Sequence, residues 1–233
     1  MFPVLVLVVA AAGIAMTAVT SGHAGLAALW SRVTNWRLSP RLYAVLLVPP
    51  GAVLVTLFTL RLTVSPDFTP GLQLFGLPVG LAAGLFEEIG WTGYAYPRMR
   101  VRFGAARGAV LLGMLWGVWH LPVVDSLGAA SPHGSAWPAY FAAFVCVLIA
   151  VRCLIAWAYT KTGSVLIAQL LHASFTGTLI LFSAPHVTPG QEAAWYAAYA
   201  GLLWLSLGTA FLTQTRRRAN ANTTVAVGTS LHA

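Results

Sequence analysis

Charge is what this sequence has least of. Charged residues make up 8% of the 233 positions, and only five of them are acidic. A soluble domain carries about 25% charged residues, so a water-soluble globular chain is excluded. The net charge of +8 does not point to nucleic acid. The basic residues sit in short clusters between apolar runs, whereas phosphate binding needs a continuous basic surface. Cysteine occurs only at Cys146 and Cys153, too few for a disulfide framework. Seven positions apart on one apolar run, they lie about 10 Å apart along a helix, too far to bridge. Both are expected to be buried packing residues. The N-terminus, MFPVLVLVVAAAGIAMTAVT, lacks the positive n-region of a cleaved signal peptide and is expected to stay as a first helix. No HExxH sequence occurs, which excludes the one-helix zinc site of soluble metalloproteases. No internal repeat is visible.

What is present is apolar length. Mean hydropathy is +0.79, and runs of 18 or more apolar residues recur, each enough to cross a hydrocarbon core of about 30 Å. The fold class is therefore all-α, a polytopic helical membrane protein. Seven spans are expected, at 2–20, 42–60, 72–96, 105–122, 137–159, 164–184 and 192–213. Residues 21–41 place Leu26, Leu29, Val33 and Trp36 at helical spacing among Arg32, Arg37 and Arg41, the pattern of an interfacial amphipathic connector. Three regions follow: the first helix and connector (1–41), the membrane core (42–215) and a basic, polar tail expected to be disordered (216–233).

Basic residues concentrate in every second connection. Three arginines occupy the first, Arg98, Arg100, Arg102 and Arg107 the third, Lys161 the fifth, and Arg216, Arg217 and Arg218 the tail, while the fourth carries only Asp125. The positive-inside rule then sets the N-terminus outside and the C-terminus in the cytoplasm. Twelve arginines against a single lysine fit a GC-rich bacterial genome, and the expected location is a bacterial plasma membrane.

Ionisable groups inside spans are costly and read as functional by default. Here they are Glu87, Glu88, His120, Arg152 and His172. Counted along ideal helices, Glu87 lies about 16 Å from Arg98, His172 about 16 Å from Lys161 and His120 about 20 Å from Arg107. Each alone reads as a helix-packing residue, but three acid–base groups at one depth can activate water and stabilise an oxyanion, or hold a metal such as zinc. Trp116 shares a helix face with His120, and His172 with Thr176. Gly80 with Gly84, and Gly113 with Gly117, form small-xxx-small faces for close helix approach.

These residues resemble a known family. EEIGWTGYAYPRM (87–99), WGVWHLP (116–122) and TGSVLIAQLLHASFT (162–176) are similar, in order, to the three motifs of the CPBP intramembrane proteases, the CAAX-protease and bacteriocin-processing family. The resemblance implies an intramembrane endopeptidase. Glu87 would be the general base on the hydrolytic water, His120 would help hold that water, and His172 with Thr176 would stabilise the oxyanion. It implies no certain cofactor, zinc on Glu87, His120 and His172 being the alternative to a metal-free mechanism. The partners implied are membrane lipid and a peptide or protein substrate with a membrane-associated segment. The alternative is a catalytically impaired relative acting as a membrane scaffold or bacteriocin immunity factor, with a transporter as the remaining reading.

Two positions depart from the family pattern. Its motif arginine is Thr92 here, one helical turn from Glu88, and its third-motif asparagine is Thr176. Glu88 must therefore be protonated or partnered elsewhere. Arg152, at similar depth, is the candidate for the missing charge. The opposing expectation is that it snorkels to the headgroups.

Overall fold

The structure is a computed structural model, and it describes residues 2–122, 124 and 133–230; Asp125 lies outside the described residues. No strand occurs among them. The helices are α1 (Phe2–Val33), α2 (Pro40–Tyr43), α3 (Val48–Thr63), α4 (Gly76–Gly90), α5 (Tyr96–Phe103), α6 (Ala105–Trp119), α7 (Trp137–Thr162), α8 (Val165–Leu181) and α9 (Pro189–Ser230). Three helical stretches are long and apolar enough to cross a membrane, at Pro3–Val33, Pro40–Thr63 and Gly134–Thr162, and two more, Ala105–Trp119 and Val165–Leu181, are apolar but shorter. Large side chains such as Val19, Leu62, Leu115 and Val118 are exposed on the outside of the bundle. Lipid tails solvate such a surface, which water would not. The chain is a multi-pass helical membrane protein.

Several boundaries differ from expectation for physical reasons. α1 runs through the connector but kinks at Gly22 (φ 58°, ψ −156°), so its second half leaves the direction of the first. Pro49 and Pro50 do not break the second span, because they occupy the first turn of α3, where no N–H is missed. α9 continues as helix through the polar segment to Ser230, where the sequence reading expects disorder. An existing helix elongates without a new nucleation step. Cys146 is exposed and Cys153 half-buried, which corrects the expectation of two buried thiols. A lipid-facing helix surface accepts a small apolar side chain without covering it.

The turn between α7 and α8 shows sequence setting geometry locally. Gly163 ends α7 in the left-handed region (φ 66°), the C-cap conformation glycine adopts without penalty. Ser164 then caps α8, accepting from Ile167 N at 3.3 Å and donating to Asn35 O at 2.7 Å.

Close packing of α4 on α8 positions the site. Gly76, Gly80 and Gly84 form a stripe four residues apart. A Cβ on Gly80 would overlap the backbone of Gly177, and one on Gly84 the carbonyl of Gln169. The two backbones meet because these residues lack side chains. Gly113 likewise brings α6 against Ile149 of α7. Gly80→Ala is expected to lower stability by about 1–3 kcal/mol through forced separation of the helices. Gly51→Ala, where nothing stands within 4 Å, should not. Thermal unfolding of both variants in detergent checks this, and equal behaviour would remove the packing argument.

Candidate active site

The two glutamates sit near the end of α4, and the chain then widens into a π-turn at Trp91–Ala95 before α5 begins. Such turns mark functional sites in many helices. Pro97 explains it in part, since its nitrogen cannot donate to the carbonyl four residues earlier, Gly93 O. A donor arrives from α1 instead, Arg32 Nη2 at 3.1 Å from Gly93 O. Arg32 Nη1 also donates to Tyr159 Oη at 2.7 Å, tying α1 to α7 at this end of the bundle.

Glu88 is fully buried, and its carboxylate is surrounded by donors. Arg152 forks onto it, Nη1 to Oε2 at 2.8 Å and Nη2 to Oε1 at 2.9 Å. His172 Nδ1 lies 2.8 Å from Oε1, and the Thr92 hydroxyl donates to Oε2. A bidentate guanidinium–carboxylate pair is the form of ion pair best suited to a dry interior. The Arg152 guanidinium also lies over the face of Trp116, 4.4 Å from the ring centroid, a cation–π contact strengthened by desolvation. Arg152 has no exposed surface, so it does not snorkel.

Glu87 faces another way. Its Oε2 accepts from two indoles, Trp91 Nε1 and Trp116 Nε1, each at 3.2 Å. It lines a cavity of about 430 Å³ together with His120, His172 and Thr176. The cavity thus gathers the acid–base groups that the sequence places at one depth, and it leaves Glu88, Arg152 and Thr92 behind its wall. His120 Nδ1 lies 2.7 Å from the carbonyl of Trp116, which accepts only, so that nitrogen carries the proton. His172 Nδ1 likewise donates to the ionised Glu88. In both rings Nε2 is the nitrogen left for the cavity. Trp116 connects the parts. Its ring meets His172 edge-on at 4.8 Å and His120 at 5.4 Å between centroids.

Among the described residues no three His, Cys, Asp or Glu side chains converge as a metal-ligand group. His120 Nε2, His172 Nε2 and Glu87 Oε1 all remain open to the cavity, but as placed they are not gathered around one ion position, so the site does not fit zinc on geometry and no step below runs through a metal. Sequence reasoning missed both indoles on Glu87; for Trp91, four residues on and so one helical turn away, helical spacing was the available signal. It also missed the far wall of the cavity, where Gln73, Ser183 and Glu192 come from segments with no motif.

A buried ion pair steadying one histidine, beside a cavity that presents a carboxylate and two imidazoles, defines an acid–base site inside a helical membrane protein. Residues 69–178, which contain all three motifs, match the family model of the Type II CAAX prenyl endopeptidase Rce1-like proteins. CAAX prenyl protease 2 of Methanococcus maripaludis is 29% identical over 137 residues, covering 56% of this chain and 48% of that protein. The match therefore spans about half the length of that relative. Both findings bear out the family expected from the three motifs, that of the CPBP intramembrane proteases.

Proposed function

We propose that the chain is an intramembrane endopeptidase that hydrolyses a peptide bond with water activated by Glu87. The observation that carries this is the division between the two carboxylates. Glu88 is consumed by Arg152, His172 and Thr92, while Glu87 stands in the cavity with His120, His172 and Thr176. With Oε2 held by two indoles, Glu87 keeps Oε1 for a water. It takes one proton from that water as the oxygen attacks the carbonyl carbon. The C–O bond forms, the carbonyl π-pair moves onto oxygen, and the Thr176 hydroxyl donates to that oxyanion, joined by His172 Nε2 when a second proton makes the ring an imidazolium. Glu87 then returns the proton to the leaving nitrogen as the C–N bond breaks. His120 holds the water from the opposite side. Glu88 is a positioning residue, since it fixes His172 and touches no substrate.

The alternative of a catalytically impaired scaffold or immunity factor drew on the missing arginine at position 92. Arg152 on Glu88 weakens that ground, because the charge is present although it comes from another helix. The bacterial plasma membrane remains the proposed location, with seven spans and a cytoplasmic C-terminus.

The test is cleavage of a membrane-tethered peptide library by the purified chain and by Glu87→Ala, His120→Ala and His172→Ala. Wild-type cleavage lost in all three variants is the expected result. Cleavage that survives Glu87→Ala would remove the mechanism.

A further inference from the structure

The two ends of the helix bundle differ in charge. One end is joined by contacts among the connector, the π-turn and the α7–α8 turn, including Ser164 Oγ to Asn35 O at 2.7 Å and Arg32 to Gly93 O at 3.1 Å. It carries Arg32, Arg37, Arg41, the α5 arginines, Arg107 and Lys161. The sequence adds Arg216, Arg217 and Arg218 on the distal part of α9. The other end is joined by Gln73 Nε2 to Ser183 Oγ at 2.7 Å, Gln191 Nε2 to Asp67 Oδ2 at 3.1 Å and His133 Nε2 to Glu192 Oε2 at 3.1 Å. There the basic residue is Arg61, against Asp67 and Glu192. Hydrogen bonds from the Ser65 hydroxyl and the Gln191 amide hold the Asp67 carboxyl below the ordinary range.

The cavity belongs to the second end. Its half-buried or exposed lining residues include Gln73 and Phe75 before α4, His120 at the end of α6, Ser183 after α8 and Glu192 near the start of α9. These five lie at or beside helix ends on the arginine-poor side, while Val79 and Thr176 line the wall within α4 and α8. Glu87 and His172 form the deep, buried part. Toward the arginine-rich end the site is closed by the Glu88–Arg152 pair, by Tyr96 against Tyr159 with ring centroids 5.9 Å apart, and by Arg32 on the Tyr159 hydroxyl. Short connections rich in Arg and Lys stay in the cytoplasm.

We infer that the site is entered from the non-cytoplasmic face, and that its substrate is an apolar peptide segment of a membrane-anchored or exported protein on that side. The entry face stands on charge and geometry alone, while the substrate class rests on the peptidase reading. A cytosolic C-terminus would meet the closed end. The cavity walls, with Phe75, Val79, Phe144, Leu148, Phe175 and Trp195, suit apolar side chains that emerge from the bilayer.

The test uses the full chain in membranes, with Cys146→Ala and Cys153→Ala as background. Ser183→Cys in the cavity and His186→Cys on the exposed turn after α8 should react with a membrane-impermeant maleimide in intact cells. Val101→Cys on α5 should react only in inside-out vesicles. The reverse pattern would overturn the inference. In parallel, two tethered reporters carry the scissile segment on the outer or the inner side. Glu87-dependent cleavage is expected for the outer reporter and its loss for the inner one. Cleavage of the inner reporter alone would overturn the inference and keep the peptidase. Outward labelling with neither reporter cut would keep the entry face and overturn the substrate assignment together with the peptidase.

Discussion

Arg152→Ala is expected to destabilise the chain by about 3–5 kcal/mol, because it leaves a buried carboxylate with its charge uncompensated. Glu88 has no exposed surface, and the guanidinium supplies both of its bidentate contacts. The remaining donors, Thr92 and His172, cannot replace a charge on Arg152. Arg152→Lys should recover only part of the loss, since an ammonium does not fork onto two oxygens. A sharper form of the test moves the charge. Thr92→Arg alone would bring a second guanidinium to a position where Arg152 Nη1 already lies 3.4 Å from the Thr92 hydroxyl, and should destabilise by like-charge repulsion. Thr92→Arg combined with Arg152→Leu should be more stable than either single substitution, because position 92 is one turn from Glu88. Denaturation of the four chains in detergent gives a coupling energy, expected within about 0.5–3 kcal/mol for groups in direct contact. Additive effects would show that Arg152 and position 92 do not serve the same carboxylate.

Glu87→Gln and Glu88→Gln should fail in opposite ways. An amide oxygen at 87 can still accept from Trp91 and Trp116, whose indoles reach only Oε2, so the fold should stand. The amide cannot take a proton from water, and turnover should fall by about 10²–10⁴-fold, the range supplied by a positioned general base. At 88 the amide would face Arg152 with no negative charge and would set an amide against one of its donors. Stability should fall there, with activity lost as a consequence. The measurement is a pair, thermal unfolding and peptide cleavage, on both variants. Full turnover by Glu87→Gln, or an unshifted unfolding transition for Glu88→Gln, would reverse the roles given to the two carboxylates.

The sequence made much of this site legible because the bilayer restricts what can be buried. Few charges survive in a span, so Glu87, His120, Arg152 and His172 stood out, and counting residues along helices placed them at one depth. The limits of α7 and α8 fall within three residues of the expected spans, because apolar length and the turn residues between them act locally, whereas α1, α3 and α9 each start or stop away from where apolar length alone places them. Other features depended on contacts between distant segments. Which glutamate faces the cavity depends on rotation about α4 and on the π-turn after it, and periodicity does not report either. The exposure of Cys146 depends on which side of α7 is left to lipid. The mouth of the cavity is lined by Gln73, Ser183 and Glu192; Gln73 pairs with Ser183 across more than a hundred positions, and Glu192 is held by His133 across 59.

The arginine on Glu88 comes from α7, whereas the usual family motif would supply it from the next turn of α4 itself. A contact within one helix forms as soon as that helix does. The contact seen here forms only when two helices have docked, so the charge pair acts as a cross-brace between α4 and α7. Orientation of His172 is thereby made conditional on complete assembly of the bundle. A partly folded chain, with α7 not yet in place, would hold its carboxylates and imidazoles out of register and would be inactive. In this protein, maturation of the fold and the onset of any hydrolysis would be a single cooperative event.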